Sequence, residues 1–119
     1  MKQKILLVED DPLLIDIYTT KLKEAGFEVS VATEGQMALE LFEKDKPNFI
    51  LLDIVLPNTN GWEVLKQIKE NKGITKVVIL SNLGQKEEIE KGIKLGADKY
   101  LIKANYTPSE VVEEIKKLL

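Results

Sequence analysis

Hydrophobic residues in this chain fall into short solid runs and longer spaced patterns that alternate along its length. Three runs are nearly continuous: Lys4-Ile5-Leu6-Leu7-Val8-Glu9, Phe49-Ile50-Leu51-Leu52-Asp53, and Val77-Val78-Ile79-Leu80, which runs into Ser81-Asn82. Runs this short, with no polar alternation, predict strands buried on both faces in the middle of a parallel sheet. Two further segments are weaker. Phe27, Val29 and Val31 alternate with Glu28 and Ser30, which predicts a half-exposed edge strand. Lys99-Tyr100-Leu101-Ile102 is short and polar-flanked, which predicts the other edge.

Helical spacing fills the gaps. Leu14, Ile17, Tyr18, Lys21, Leu22 and Ala25 recur on one face, with Asp11 as N-cap, Pro12 in the first turn and Gly26 as the stop. Thr33-Glu34-Gly35-Gln36 reads as a capping box opening a helix with Met37, Ala38, Leu41 and Phe42 inward. Ile54 to Gly61 reads as a loop. Its Asn60 predicts an N-cap and not half of an Asn-Gly hairpin turn, because Trp62, Leu65 and Ile68 follow at helical spacing. A fourth helix is predicted from about Gln85 to Leu95, with Ile89 and Ile93 inward and Gly96 ending it. Thr107-Pro108-Ser109-Glu110 is a second capping box, and Val111, Val112, Ile115 and Leu118 give the last helix its core face.

Five predicted strands thus alternate with five helices, beginning with a strand. That pattern is an α/β fold with a parallel sheet and right-handed crossovers. The doubly wound order 2-1-3-4-5, the flavodoxin-like one, puts both weak strands at the edges and the solid runs inside. With 119 residues, the chain is expected to be one domain over residues 1–119.

This order has a consequence for chemistry. Strands one and three are neighbours on either side of the topological switch point, where such sheets bind ligands. Asp10 and Asp11 lie just past the first strand, and Asp53 ends the third. Ser81 ends the fourth and Lys103 the fifth. Carboxylates about 4 Å apart at an effective dielectric near 20 repel by roughly 4 kcal/mol, so a cation is needed. Lys103 offsets part, and Mg²⁺ suits a set of carboxylate oxygens, waters and a phosphate oxygen. Nothing at these strand ends offers the soft ligands that Zn²⁺ or copper prefer.

Composition narrows the choice. The chain has no cysteine and no histidine, which removes disulfides, thiolate sites, phosphohistidine and the commonest general base. Acyl transfer and nucleophilic-serine chemistry lack their parts. All 17 basic residues are lysine and the net charge is -3, so no basic nucleic-acid footprint is evident. There is no signal-peptide pattern and no long apolar run, so no membrane partner is expected. What remains is Asp53 as a carboxylate nucleophile toward phosphorus, with a metal and an ammonium to stabilise the equatorial oxygens. Singly, each residue has an ordinary role: Asp11 as a helix cap, Asp53 as a strand-end acid, Lys103 as a solvated lysine, Tyr100 as an edge aromatic. Their joint placement carries the reading.

In order and at the ends of these strands, the chain resembles the receiver domain of two-component response regulators over Lys4 to Leu119. The matching features are Asp10-Asp11-Pro12, Asp53-Ile54-Val55-Leu56-Pro57, Gly61, Ser81, Gly96-Ala97-Asp98 and Tyr100-Leu101-Ile102-Lys103. The resemblance implies that Asp53 is the phosphoacceptor. It implies that Asp10, Asp11, Asp53 and the Val55 backbone carbonyl hold Mg²⁺. It makes Ser81 the hydroxyl that contacts the phosphoryl group, Lys103 its paired cation and Tyr100 the switch aromatic that turns inward on activation. The implied partners are a sensor histidine kinase or phosphotransfer protein, and a downstream protein docking on helix four, strand five and helix five. It implies a cytoplasmic signalling domain that assists its own phosphorylation and dephosphorylation and is not an enzyme in the ordinary sense. Three positions depart from the pattern: Ala104 where a proline with a cis peptide is common, Asn82 where a small alanine is usual, and Thr59 where methionine is common.

Three other readings stand beside this one. The chain can be a receiver-like binding module that is never phosphorylated, for which Asn82 and Ala104 speak. It can be a Mg²⁺-dependent hydrolase, though no base for water is in sight. It can be an engineered or reconstructed scaffold of this fold with the site inherited.

Overall fold

The computed structural model describes residues 2–71 and 73–119. Strand β1 (Lys4–Val8) leads into α1 (Pro12–Glu24), β2 (Glu28–Ala32) and α2 (Gly35–Asp45). Strand β3 (Phe49–Leu52) is followed by two short strands, β4 (Val55–Leu56) and β5 (Thr59–Asn60). Then come α3 (Gly61–Glu70), β6 (Lys76–Ser81), α4 (Lys86–Lys94), β7 (Lys99–Ile102) and α5 (Pro108–Lys116). The main sheet is five-stranded and parallel, in the order β2-β1-β3-β6-β7. Because β4 and β5 form a separate antiparallel ladder, β6 and β7 are the expected fourth and fifth strands. The flavodoxin-like doubly wound α/β architecture and its order are as the runs predicted.

Period-two alternation in the central strands feeds two cores. Leu6, Val8, Ile50, Leu52, Val77 and Ile79 face α2 and α3, where Ala38, Phe42, Val64, Leu65 and Ile68 are buried. Ile5, Leu7, Leu51, Val78 and Leu80 face α1 and α5, meeting Tyr18, Leu22, Val111, Val112 and Ile115. Burying a large aliphatic side chain stabilises by about 1.5–3 kcal/mol. These two layers therefore hold the strand ends rigidly enough to build on.

Several local expectations are corrected. Thr33 does not cap α2. Glu34 is the N-cap and makes no side-chain cap bond; the Gly35 N–H instead donates to Thr59 Oγ1, 3.1 Å away on β5. Met37 and Ile93 point outward, at 40% and 48% exposure, because each lies off the buried stripe of a short helix whose far side meets solvent. The Ile54–Gly61 loop holds the β4–β5 ladder, with its turn at Pro57-Asn58 and Asn58 at φ 52°. Asn60 does cap α3, accepting from the Trp62 N–H at 3.0 Å. Thr107 and Glu110 form the reciprocal capping box at α5.

Candidate functional site at the sheet's C-terminal edge

Register decides what meets here. Val8 pairs with Leu52, so the next residues, Glu9 and Asp53, emerge side by side. Ser81 pairs with Ile102, so Lys103 follows one step past the end of β6. The Lys103 ammonium lies 2.7 Å from Asp53 Oδ2 and 2.6 Å from Glu9 Oε1. Asp53 Oδ1 accepts from the Val55 N–H at 3.0 Å. Glu9 Oε2 accepts from the Asp10 and Asp11 N–H groups, each at 3.1 Å. Glu9 is 2% and Asp53 5% exposed, so an ion triad sits at the floor of a cleft whose rim is open.

Glu9, Asp10 and Asp53 each place one carboxylate oxygen within 4.8 Å of the others. Two unit charges at that distance repel by about 3.5 kcal/mol at an effective dielectric of 20. Lys103 bridges two of the three acids and leaves Asp10 unmatched at the mouth. Burial alone lowers the pKa of the Lys103 ammonium. Its bonds to Asp53 and Glu9 outweigh that and hold it above the ordinary lysine value. The donor set is all hard oxygen, which fits Mg²⁺ or Ca²⁺ and not a soft metal.

Of the residues expected to hold metal, the structure brings Asp10 and Asp53 together, and Val55 lines the same cleft. Asp11 lines the cleft too but is not one of the three acids whose oxygens lie within 4.8 Å of one another, and its Oδ1 caps α1, as the sequence predicts, by accepting from Leu13 at 2.9 Å and Leu14 at 3.4 Å. Glu9 was missed, because it reads as the last residue of an apolar run. Aligning the polar ends of the first and third runs would have found it.

Ser81 is 0% exposed, and its Oγ accepts from the Leu83 N–H at 3.3 Å. The Tyr100 hydroxyl donates to the Leu83 carbonyl, and its ring packs on the inner core beside Gly92. Burial, then the Glu88 charge, push the Tyr100 phenol above the ordinary tyrosine value, against a smaller opposing effect of the neighbouring Ser81 hydroxyl. Ser81, Leu83 and Tyr100 thus link the cleft to β7. The Lys103–Ala104 peptide is trans, and the chain turns there through a single 3-10 turn, Lys103–Asn105. The matched Gly61 and Asp98 have structural jobs. A Cβ at Gly61 would lie 2.3 Å from the Ile54 carbonyl oxygen. Asp98 Oδ2 accepts from the Val77 N–H and from Lys69, each at 2.8 Å.

Comparison with known proteins agrees with this geometry. The response regulator receiver domain family matches residues 5–116, and the chain belongs to that family. It is 36% identical to the alkaline phosphatase synthesis transcriptional regulatory protein PhoP of Bacillus subtilis, covering 100% of this chain and 49% of that protein. The chain spans about half the length of the curated relatives it matches. The CheY-like receiver domain protein of Methanospirillum hungatei superposes with a TM-score of 0.92 at 28% identity, over 99% of this chain and 94% of that one. The BeF3-activated N-terminal receiver domain of Klebsiella pneumoniae RstA superposes with a TM-score of 0.88 at 26% identity, over 97% of each. Receiver domains are signalling domains of two-component response regulators, and this chain is one of them.

Proposed function

We propose that the chain accepts a phosphoryl group on Asp53, in the presence of Mg²⁺, from a sensor histidine kinase, a phosphotransfer protein or a small acyl phosphate. The observation that carries this is the Glu9–Lys103–Asp53 triad with Asp10 beside it, at the open end of a buried strand pair.

The Asp53 carboxylate attacks phosphorus, and a P–O bond forms. The bond from phosphorus to the donor's imidazole nitrogen or acyl oxygen breaks, and its electron pair leaves with that atom. Asp10, Asp53 and the Val55 carbonyl would hold Mg²⁺, with Glu9 supporting the set through Lys103. The ion supplies charge neutralisation for the phosphoryl oxygens. Lys103 keeps its proton throughout and pairs with one equatorial oxygen. Ser81 offers its hydroxyl proton to another. Hydrolysis reverses the bond change: water attacks phosphorus and the Asp53 carboxylate is released.

The modification adds negative charge and acceptor oxygens at the site. Drawing Ser81 toward it pulls on the loop that Tyr100 holds through Leu83, which couples the cleft to α4, β7 and α5 as the docking face for a downstream protein. Tyr100 already faces inward, so modification strengthens an arrangement the fold can adopt, a population shift worth a typical 1–3 kcal/mol. Among the described residues no helix is long and apolar enough to cross a membrane. A cytoplasmic location fits this chemistry.

Acetyl phosphate with Mg²⁺ tests the reading. One phosphoryl group per chain is expected in the native protein and none in Asp53→Asn. Undiminished incorporation in Asp53→Asn would overturn the assignment.

A further inference from the structure

A phosphoryl group on Asp53 brings three terminal oxygens into the cleft, and the donors waiting for them are few. Beside Leu14 and Val55, the side chains that line the cleft are the polar ones of Glu9, Asp10, Asp11, Asp53, Lys103 and Asn82. Four of those side chains are acids and repel an anion. Lys103 directs two of its three N–H bonds to Glu9 and Asp53. Ser81 is fully buried behind the lining side chains, and its oxygen accepts from the Leu83 N–H, which leaves its one hydroxyl proton for a single phosphoryl oxygen.

Asn82 is the opposite case. Its side chain is exposed at the end of β6 and borders the cleft directly. The hydrogen bonds that organise the turn after β6 run through Ser81 and Leu83, not through the Asn82 amide. An amide brings two N–H donors and no charge. It can therefore serve an anion without disturbing the carboxylates that hold the cation.

We propose that Asn82 is a further phosphoryl-binding side chain, beside Lys103 and Ser81, its amide donating to a terminal oxygen of the group on Asp53. This rests on Asp53 being the acceptor, and it makes the residue after Ser81 a ligand of the bound group, not only an obstacle to it.

The test is beryllofluoride binding in saturating Mg²⁺, by calorimetry, to the native protein, Asn82→Ala, Asn82→Ser and Asp53→Asn. Affinity for Mg²⁺ without the anion is measured alongside. Asn82→Ala should weaken beryllofluoride about tenfold, the low end for a hydrogen bond to a charged group. Asn82→Ser should recover part of that, and the Mg²⁺ affinity should not move in either variant. Equal or tighter anion binding by Asn82→Ala would show a side chain that only crowds the cleft, and would overturn the proposal. A parallel loss of Mg²⁺ affinity would also overturn it. If the native protein takes up no anion, or Asp53→Asn takes it up equally well, the acceptor reading itself fails.

Discussion

Lys103→Met keeps much of the buried stem and removes the ammonium that lies 2.6 Å from Glu9 and 2.7 Å from Asp53. Two nearly buried carboxylates then face each other, with Asp10 close by and no other ion pair to either among the described residues. Breaking a buried pair from one side typically costs about 3–5 kcal/mol. Here the cleft is open at its rim, water reaches the acids, and about 2–3 kcal/mol is expected. In urea at neutral pH with a chelator, the unfolding midpoint should fall by about 1–2 M with an unchanged slope. Adding Glu9→Gln to Lys103→Met should recover part of the loss, since one orphaned charge disappears. Adding Mg²⁺, the cation proposed for the folded cluster, should recover part by mass action. A Lys103→Met protein as stable as the native one without Mg²⁺ would refute the idea that this ammonium holds the acids together. So would further destabilisation on adding Glu9→Gln.

Lys103 titrates above the ordinary lysine value in the folded state, so its contribution is complete below the unfolded value near 10.4 and is lost as pH rises through the folded one. Native stability should therefore fall more steeply than that of Lys103→Met in the alkaline range, as measured by urea midpoints at stepped pH. Asp10→Asn should weaken Mg²⁺ binding at least tenfold by calorimetry, as expected for loss of a carboxylate ligand worth about 1.4 kcal/mol or more. Asp11→Ala should instead cost about 1 kcal/mol of stability through its helix cap and change Mg²⁺ affinity far less. A Cβ on Gly92 would sit 2.7 Å from Ile79 Cδ1 and 2.9 Å from Tyr100 Cδ2, so Gly92→Ala should destabilise by about 1–3 kcal/mol and displace the Tyr100 ring, visible in its aromatic NMR shifts.

Patterning revealed the sheet because burial on both faces leaves an unmistakable mark: Ile50, Leu51 and Leu52 have no polar neighbour between them, and only a central parallel strand tolerates that. The edge strands were legible for the converse reason, since β2 and β7 carry polar residues on their open side. The β4–β5 ladder was not legible. Two residues per strand give no periodicity, and its turn depends on Asn58 adopting a positive φ. The α2 cap was misread because Thr33 fits the capping motif locally, while the actual acceptor, Thr59, comes from a segment 24 residues away. At the site, Asp53, Asp10 and Lys103 were found from where strands end. Glu9 was not, because a one-residue difference in where β1 stops decides that it emerges beside Asp53, while Asp11 caps α1 as its place before Pro12 predicts. Spacing alone carries no information about that final step.

The bond proposed for Asp53 can be read chemically. An aspartyl phosphate is an acyl phosphate, which borohydride reduces to homoserine. After treatment with acetyl phosphate and Mg²⁺, reduction and peptide mapping should place homoserine at position 53 and nowhere else. Homoserine at Asp10 or Asp11, or a phosphorylated protein that yields none at position 53, would contradict Asp53 as the acceptor.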